Sequence, residues 1–261
     1  MGIQDKMSIH IVTHAYAAKL PQYAVFLRVQ LSSLLLCKCD VPVRITVCYN
    51  PADCRTVEVL EDFRYIHAGA KRMNPSYPGV TLIPLPLDVA SLFRRCIGRD
   101  LAVKGMEDDI FWLTDVDYFF GADCLNSLWA TWNKELSNLP VLLWPKQVRI
   151  HKDHDTGEEF WRHNQWARNV LLPDLSQFVY KSYARAIGGV QIVNGEYIRE
   201  HGYLRGNRRW QRPRTDDKPF GDFQDDIAFR RTCTYHGAIH AIEISNVFRM
   251  RHREVTYRMA Y

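Results

Sequence analysis

No apolar run in this sequence is long enough to cross a membrane. Leu34-Leu35-Leu36 is broken by Lys38 and Asp40, and a span needs roughly 20 apolar residues. The first seven residues contain Asp5 and lack the apolar centre of a signal peptide, so the chain reads as soluble, unsecreted and cytoplasmic. Glycine (14) and proline (12) are too few among 261 residues for a low-complexity linker protein. Cysteine is odd in number, seven, and forms no CxxC pair, which argues against a disulfide framework or a zinc ribbon. These thiols read as reduced, with Cys37 and Cys39 at a helix end. There is no internal repeat. The charge excess is small: 34 Lys+Arg against 29 Asp+Glu leaves +5. With 24% charged and 47% hydrophobic residues, the chain has the composition of a folded globular protein and not of a disordered one.

What is there is an alternation. Ser8–Thr13 is a short β-branched run that predicts a first buried strand. Pro21 opens an apolar-periodic helix through Leu36, and Val43–Tyr49 predicts a second strand. Pro51 begins a helix of about three turns. Val80–Leu85 predicts a strand, Leu92–Met106 a helix and Asp109–Val116 a fourth strand. Four such alternations imply an α/β fold with a mostly parallel sheet flanked by helices. Ligands on such sheets sit at the carboxyl ends of strands, here Thr13–Tyr16, Asn50 and Asp115–Asp117. Further on, the pattern predicts strands at Val141–Trp144 and Ile187–Val193 and helices from Tyr197 and Asp225. One or two strands then fall within Ala241–Met250. His151, His154 and His163 lie in polar sequence without metal-site spacing and read as surface histidines. No linker interrupts the chain, so residues 1–261 read as one domain. Its donor half covers about 1–120 and its acceptor and catalytic half about 121–261.

Four segments offer chemistry. An apolar strand runs into Asp115-Val116-Asp117, two carboxylates where the chain turns and both can reach one cation; Mn²⁺ and Mg²⁺ prefer such oxygen ligands. Gly188-Gly189 lets a sugar approach the backbone, or simply makes a turn before a strand. Asp222, Asp225 and Asp226 open a helix; they either complement its dipole or supply a general base. In Phe248-Arg249-Met250-Arg251-His252-Arg253 a histidine sits among arginines, as an exposed tail or as a metal ligand among phosphate-neutralising groups.

In this order the four segments resemble the β-1,4-galactosyltransferase family and its relatives among GT-A-fold glycosyltransferases, over roughly Leu92–Arg253. Phe93-Arg94-Arg95 matches a Phe-x-Arg that precedes the DVD strand in that family. The resemblance implies a GT-A-like (Rossmann-like) fold and a hexosyltransferase that uses Mn²⁺ or Mg²⁺. It would move a galactose-type sugar from a UDP-linked donor to a glycan or other hydroxyl acceptor with inversion. Asp117 and His252 would hold the metal, with Asp115 near it or at a ribose hydroxyl. Thr13, His14, Ala15, Phe93, Arg95, Val116, Gly188, Gly189 and Phe220 would line the donor site. The sequence departs from the family at four points. Arg249 stands where the family has a Met ligand, Phe220 replaces a Trp, Phe223 replaces a Glu, and Gln224 occupies the position of the family's base. Asp225 is therefore the first choice of base, with Asp226 beside it.

Other classes fit less well. A retaining glycosyltransferase uses the same DxD. A nucleotidyltransferase needs a glycine-rich loop after the first strand, and Thr13-His14-Ala15-Tyr16-Ala17-Ala18 has no glycine. Arg199–Arg214 holds six Arg and Trp210, the composition of a nucleic-acid binder, but +5 overall is modest. A loop folding over a diphosphate explains those arginines equally well.

Overall fold

The computed structural model describes residues 7–73, 79–135, 140–205, 207 and 224–251. The first half alternates as expected. β1 (Ile9–Ala15), α1 (Gln22–Leu36), β2 (Val43–Tyr49), α2 (Cys54–Met73) and β3 (Val80–Pro86) follow one another. Then come α3 (Val89–Leu92), α4 (Arg95–Val103), β4 (Ile110–Leu113), β5 (Tyr118–Phe120) and α5 (Cys124–Glu135). The second half adds β6 (Leu142–Pro145), β7 (Gln147–His151), α6 (His154–His163), β8 (Phe178–Ser182), β9 (Gln191–Asn194) and α7 (Gly195–His201). It closes with α8 (Gln224–His236), β10 (Ile239–Ile242) and β11 (Val247–Arg249).

Seven strands form one sheet in the order β10-β6-β9-β4-β1-β2-β3. All its pairings are parallel except those of β9, which runs against both β4 and β6. Helices cover both faces of a parallel sheet, so central strands are apolar throughout. Accordingly every residue of β1 and of β4 is buried. The buried His10 of β1 survives there because it is paired. His10 lies between Thr46 Oγ1 (2.7 Å) and Asp108 Oδ2 (3.1 Å), and Ser8 and Arg44 also donate to Asp108.

Several expected boundaries move, each for a physical reason. α2 runs 20 residues, well beyond three turns; Val59, Leu60 and Phe63 bury one stripe while the rest is solvated. The expected helix 92–106 is two helices, because Asp88 caps α3 by accepting from Ser91 N (2.8 Å) and the chain restarts at Arg95. β3 continues through Pro84 and Pro86, which an edge strand tolerates. β1 extends to Ala15, two residues past the expected end.

The sequence reading missed a second sheet, β5-β11-β7-β8. Its strands are three to five residues long, too short to show periodicity. Phe119 and Phe248 stack at 5.0 Å in its core, with Phe178 edge-on to both. His151 corrects an expectation: it is buried edge-on against Phe178, with Nδ1 3.0 Å from Asp153 O, and is no surface histidine. All seven cysteines are free, and Cys37 caps the end of α1. Among the described residues no helix is long and apolar enough to cross a membrane.

Candidate functional site

β1 and β4 are parallel neighbours, so their carboxyl ends open on the same edge of the sheet. Thr114 still belongs to the sheet, donating from N to Val12 O at 2.9 Å. The next residues cross from the large sheet into β5 of the small one. That turn is braced from below by α1. Gln30, fully buried on α1, donates from Nε2 to the carbonyls of Asp115 (3.1 Å) and Tyr118 (2.8 Å). A buried amide is costly unless bonded, and here it holds the two ends of the DVD turn.

The turn presents two carboxylates to different partners. Asp115, 28% exposed, accepts from Arg95 Nη1 at 2.5 Å. Asp117, 5% exposed, accepts from Arg249 Nε at 2.8 Å. The second pair exists because β11 lies beside β5: Arg249 registers against Tyr118, and Met250 N donates to Asp117 O at 2.8 Å. The Arg249 guanidinium also lies over the Tyr118 ring, 5.3 Å from its centre. Burial first, then the Asp117 and Asp115 charges, raise the Tyr23 pKa, and Arg95 and Arg249 oppose them.

Arg95 and Arg99 are one helical turn apart on α4 and face the same way. Arg99 is fully buried, and it donates to Tyr203 OH (2.8 Å), Gly188 O (2.6 Å) and Gln191 Oε1 (3.2 Å). It also lies 3.5 Å from Asp115. His14, at the end of β1, packs against Gly98 of the same helix. Burial, then the Arg99 and Arg95 charges, push its pKa well below the usual value, so the ring stands neutral.

The remaining wall is the turn before β9 and the start of α8. β9 is antiparallel to β4, so its beginning meets the same edge of the sheet. α8 is fastened over this turn: Arg230 Nη1 donates to Ala186 O (2.7 Å), Gln191 Nε2 to Asp226 O (3.3 Å), and Phe229 stacks on Tyr203. A methyl group at Gly188 would lie 3.5 Å from Asp226 Oδ2 and 3.6 Å from both Arg95 Nη atoms. Gly188, Asp226 and Arg95 thus enclose a small polar space. Burial raises the Asp226 pKa; Arg95 opposes this and the neighbouring Asp225 adds to it. Asp225 itself is only 3% exposed, and its Oδ1 accepts from Asp226 N at 2.8 Å.

By sequence, the chain matches no protein-family model and no curated protein. By structure it resembles S. aureus TarS residues 1–349 in complex with UDP-GlcNAc, with a TM-score of 0.59 at 10% identity, over 98% of this chain and 62% of that one. TarS 1–349 alone gives 0.53 at 10% identity, over 94% and 60%. The apo form of mouse xyloside xylosyltransferase 1 gives 0.46 at 14% identity, over 90% and 85%. The fold is of the GT-A type. This chain spans less than two thirds of the TarS chains it matches, and the likeness does not reach the β-1,4-galactosyltransferase family in particular.

On this GT-A frame the expected residues divide into three groups. Asp115, Arg95, Gly188 and Asp226 lie together, with Asp117 in the same turn as Asp115 and Asp225 next to Asp226. Thr13 and Ala15, in β1, and Val116, in the turn after β4, are buried. Gly189 packs against the Tyr118 ring, where a methyl group would collide. Tyr16, the last residue of the expected strand end Thr13–Tyr16, is half-buried just after β1, edge-on to Phe93 at 5.0 Å. Phe220, Asp222 and His252 lie outside the described residues, as do Trp210 and the arginines at 208, 209, 212 and 214. The sequence reading also missed Arg99, Tyr203 and Gln30. A buried arginine four residues after Arg95 was the one available signal.

GT-A glycosyltransferases commonly use a divalent metal. The donor chemistry here suits a hard ion, since Asp115 and Asp117 offer carboxylate oxygens at one turn. Among the described residues no group of three His, Cys, Asp or Glu forms a cage. Each of the two carboxylates is held by a guanidinium.

Proposed function

We propose that this chain is a glycosyltransferase that moves a sugar from a UDP-linked donor to an acceptor hydroxyl with inversion. The observation that carries the reading is the convergence of four features at the carboxyl edge of a GT-A sheet. These are the Asp115–Asp117 turn, the Arg95 guanidinium, the Gly188 opening and the Asp226 carboxylate. The similarity to a TarS structure holding UDP-GlcNAc supports the donor class.

Each group has a task suited to its surroundings. Tyr16 and Phe93 form an aromatic edge beside the end of β1, which suits a nucleobase. Arg95, on the same side, suits the diphosphate, because a guanidinium gives charge-assisted hydrogen bonds to phosphate oxygens. A divalent ion, held by Asp115 and Asp117 with His252 as the third expected ligand, would supply charge to stabilise the leaving diphosphate. Asp226 takes the proton of the acceptor hydroxyl; the oxygen then bonds to the anomeric carbon as the bond from that carbon to the diphosphate breaks, and UDP leaves. Asp226 suits this better than Asp225 because it is less buried, borders Gly188 and has a raised pKa. Asp225 keeps a positioning role through its bond to Asp226 N.

A panel of UDP-sugars, including UDP-galactose and UDP-GlcNAc, tests the reading through release of UDP with Mn²⁺ present. Release with one or more sugars, lost in Asp117→Ala, is the expected result. A panel with no turnover and no nucleotide binding by calorimetry would refute it.

A further inference from the structure

The Arg249–Asp117 pair joins the least exposed carboxylate of the site to a side chain that is 32% exposed. Of the two partners the guanidinium is the more exposed. It is fixed beside Asp117 by backbone pairing of β11 with β5 and by the Tyr118 ring beneath it. Its Nε occupies hydrogen-bond distance from Asp117 Oδ2, the place a cation bound to that oxygen would need. A divalent ion at this oxygen would have to displace Arg249 and leave its guanidinium beside the ion without its carboxylate. A diphosphate bound with the ion offers that guanidinium phosphate oxygens instead.

We infer that Arg249 is a resident counter-cation of Asp117 that disfavours a divalent ion bound alone and favours one bound together with a nucleotide diphosphate. The diphosphate gives the displaced guanidinium new acceptors, and the ion takes the vacated carboxylate. This rests on the donor class proposed above. Linkage requires the effect to be reciprocal: whatever factor UDP adds to the affinity for the ion, the ion adds to the affinity for UDP.

Mn²⁺ binding, read as loss of the free-ion signal in electron paramagnetic resonance, tests the idea without any turnover. The probes are Mn²⁺ alone and Mn²⁺ with UDP, on the wild type, Arg249→Leu and Arg249→Lys. Arg249→Leu should bind Mn²⁺ alone about tenfold or more tightly than the wild type, within the range of typical couplings. Its gain on adding UDP should be correspondingly smaller. Arg249→Lys keeps the charge and should stay near the wild type. Should Arg249→Leu melt at room temperature, Arg249→Gln carries the same comparison. Equal Mn²⁺ affinity in the charged and neutral variants would overturn the inference, as would the absence of Mn²⁺ binding in all of them. The Mn²⁺-alone comparison needs no nucleotide, so a protein that never binds UDP would refute the glycosyltransferase reading and still leave this test decisive.

Discussion

Asp226→Asn separates the catalytic reading from a structural one. The substitution keeps the shape and the oxygen that accepts from Ile227 N at 2.9 Å, and leaves the backbone carbonyl that accepts from Gln191. The start of α8 should therefore persist. Only the capacity to take a proton is lost. General-base catalysis contributes about 10²–10⁴-fold, or roughly 3–5 kcal/mol at the transition state. Turnover should fall by that factor while the affinity for UDP changes little, since the base acts on the acceptor. The pH dependence gives a second readout. Burial and Asp225 raise the Asp226 pKa against the opposing Arg95, so the acid limb of kcat should lie above the ordinary carboxylate value of 3.8. Asp225→Asn removes one raising charge and should move that limb to lower pH. Stability has the opposite sign. A raised carboxyl pKa means that ionisation costs the folded state, so Asp226→Asn should melt higher than the wild type at pH 7, and the gap should close below about pH 3.8. Steady-state kinetics and thermal melts over pH check both. Near-normal turnover in Asp226→Asn would refute the assignment. If Asp225→Asn were then inactive, the base would be one residue earlier; if both stayed active, a retaining reaction would replace the inverting one.

Other consequences concern the framework. Arg99→Met removes the donor to Gly188 O, while Tyr203 OH still donates to Gln191 Oε1 (3.0 Å), and it should cost about 1–3 kcal/mol in urea unfolding; no measurable loss would contradict the packing described. Gly98→Ala would press a methyl group onto His14 Nε2 and within 3.0 Å of Cys48 Sγ, so it should destabilise by about 1–3 kcal/mol in the same assay. Asp108 is pushed up by burial, yet the hydrogen bonds from His10 and Ser8 and the charges of His10 and Arg44 bring its pKa down to about 2. A depressed carboxyl pKa contributes stability above its unfolded value. About 1–2 kcal/mol should therefore be lost as pH falls from 3.8 towards 2, and Asp108→Asn should flatten that slope in denaturant titrations over pH.

The order of elements in the first half was legible because each strand and helix carries its own period. Val43–Tyr49 appears in the structure with its expected ends, and α1 begins one residue after Pro21. The DVD turn was legible for the same reason: an apolar strand that stops at two carboxylates says where its carboxyl end lies. Local pattern could not say which strands pair. The antiparallel β9, the short strands of the second sheet and the burial of His151 depend on neighbours distant in sequence. The same holds for the site. Asp115, Asp117 and Asp226 could be named from sequence as candidates, but their partners could not. Arg249 meets Asp117 across 132 positions, and Arg99 meets Gly188 across 89. Periodicity reports which face of an element is apolar, and that is set within a few residues. Which charge ends beside which carboxylate is set by how sheets and helices close on one another, and for this protein the tertiary structure alone decided it.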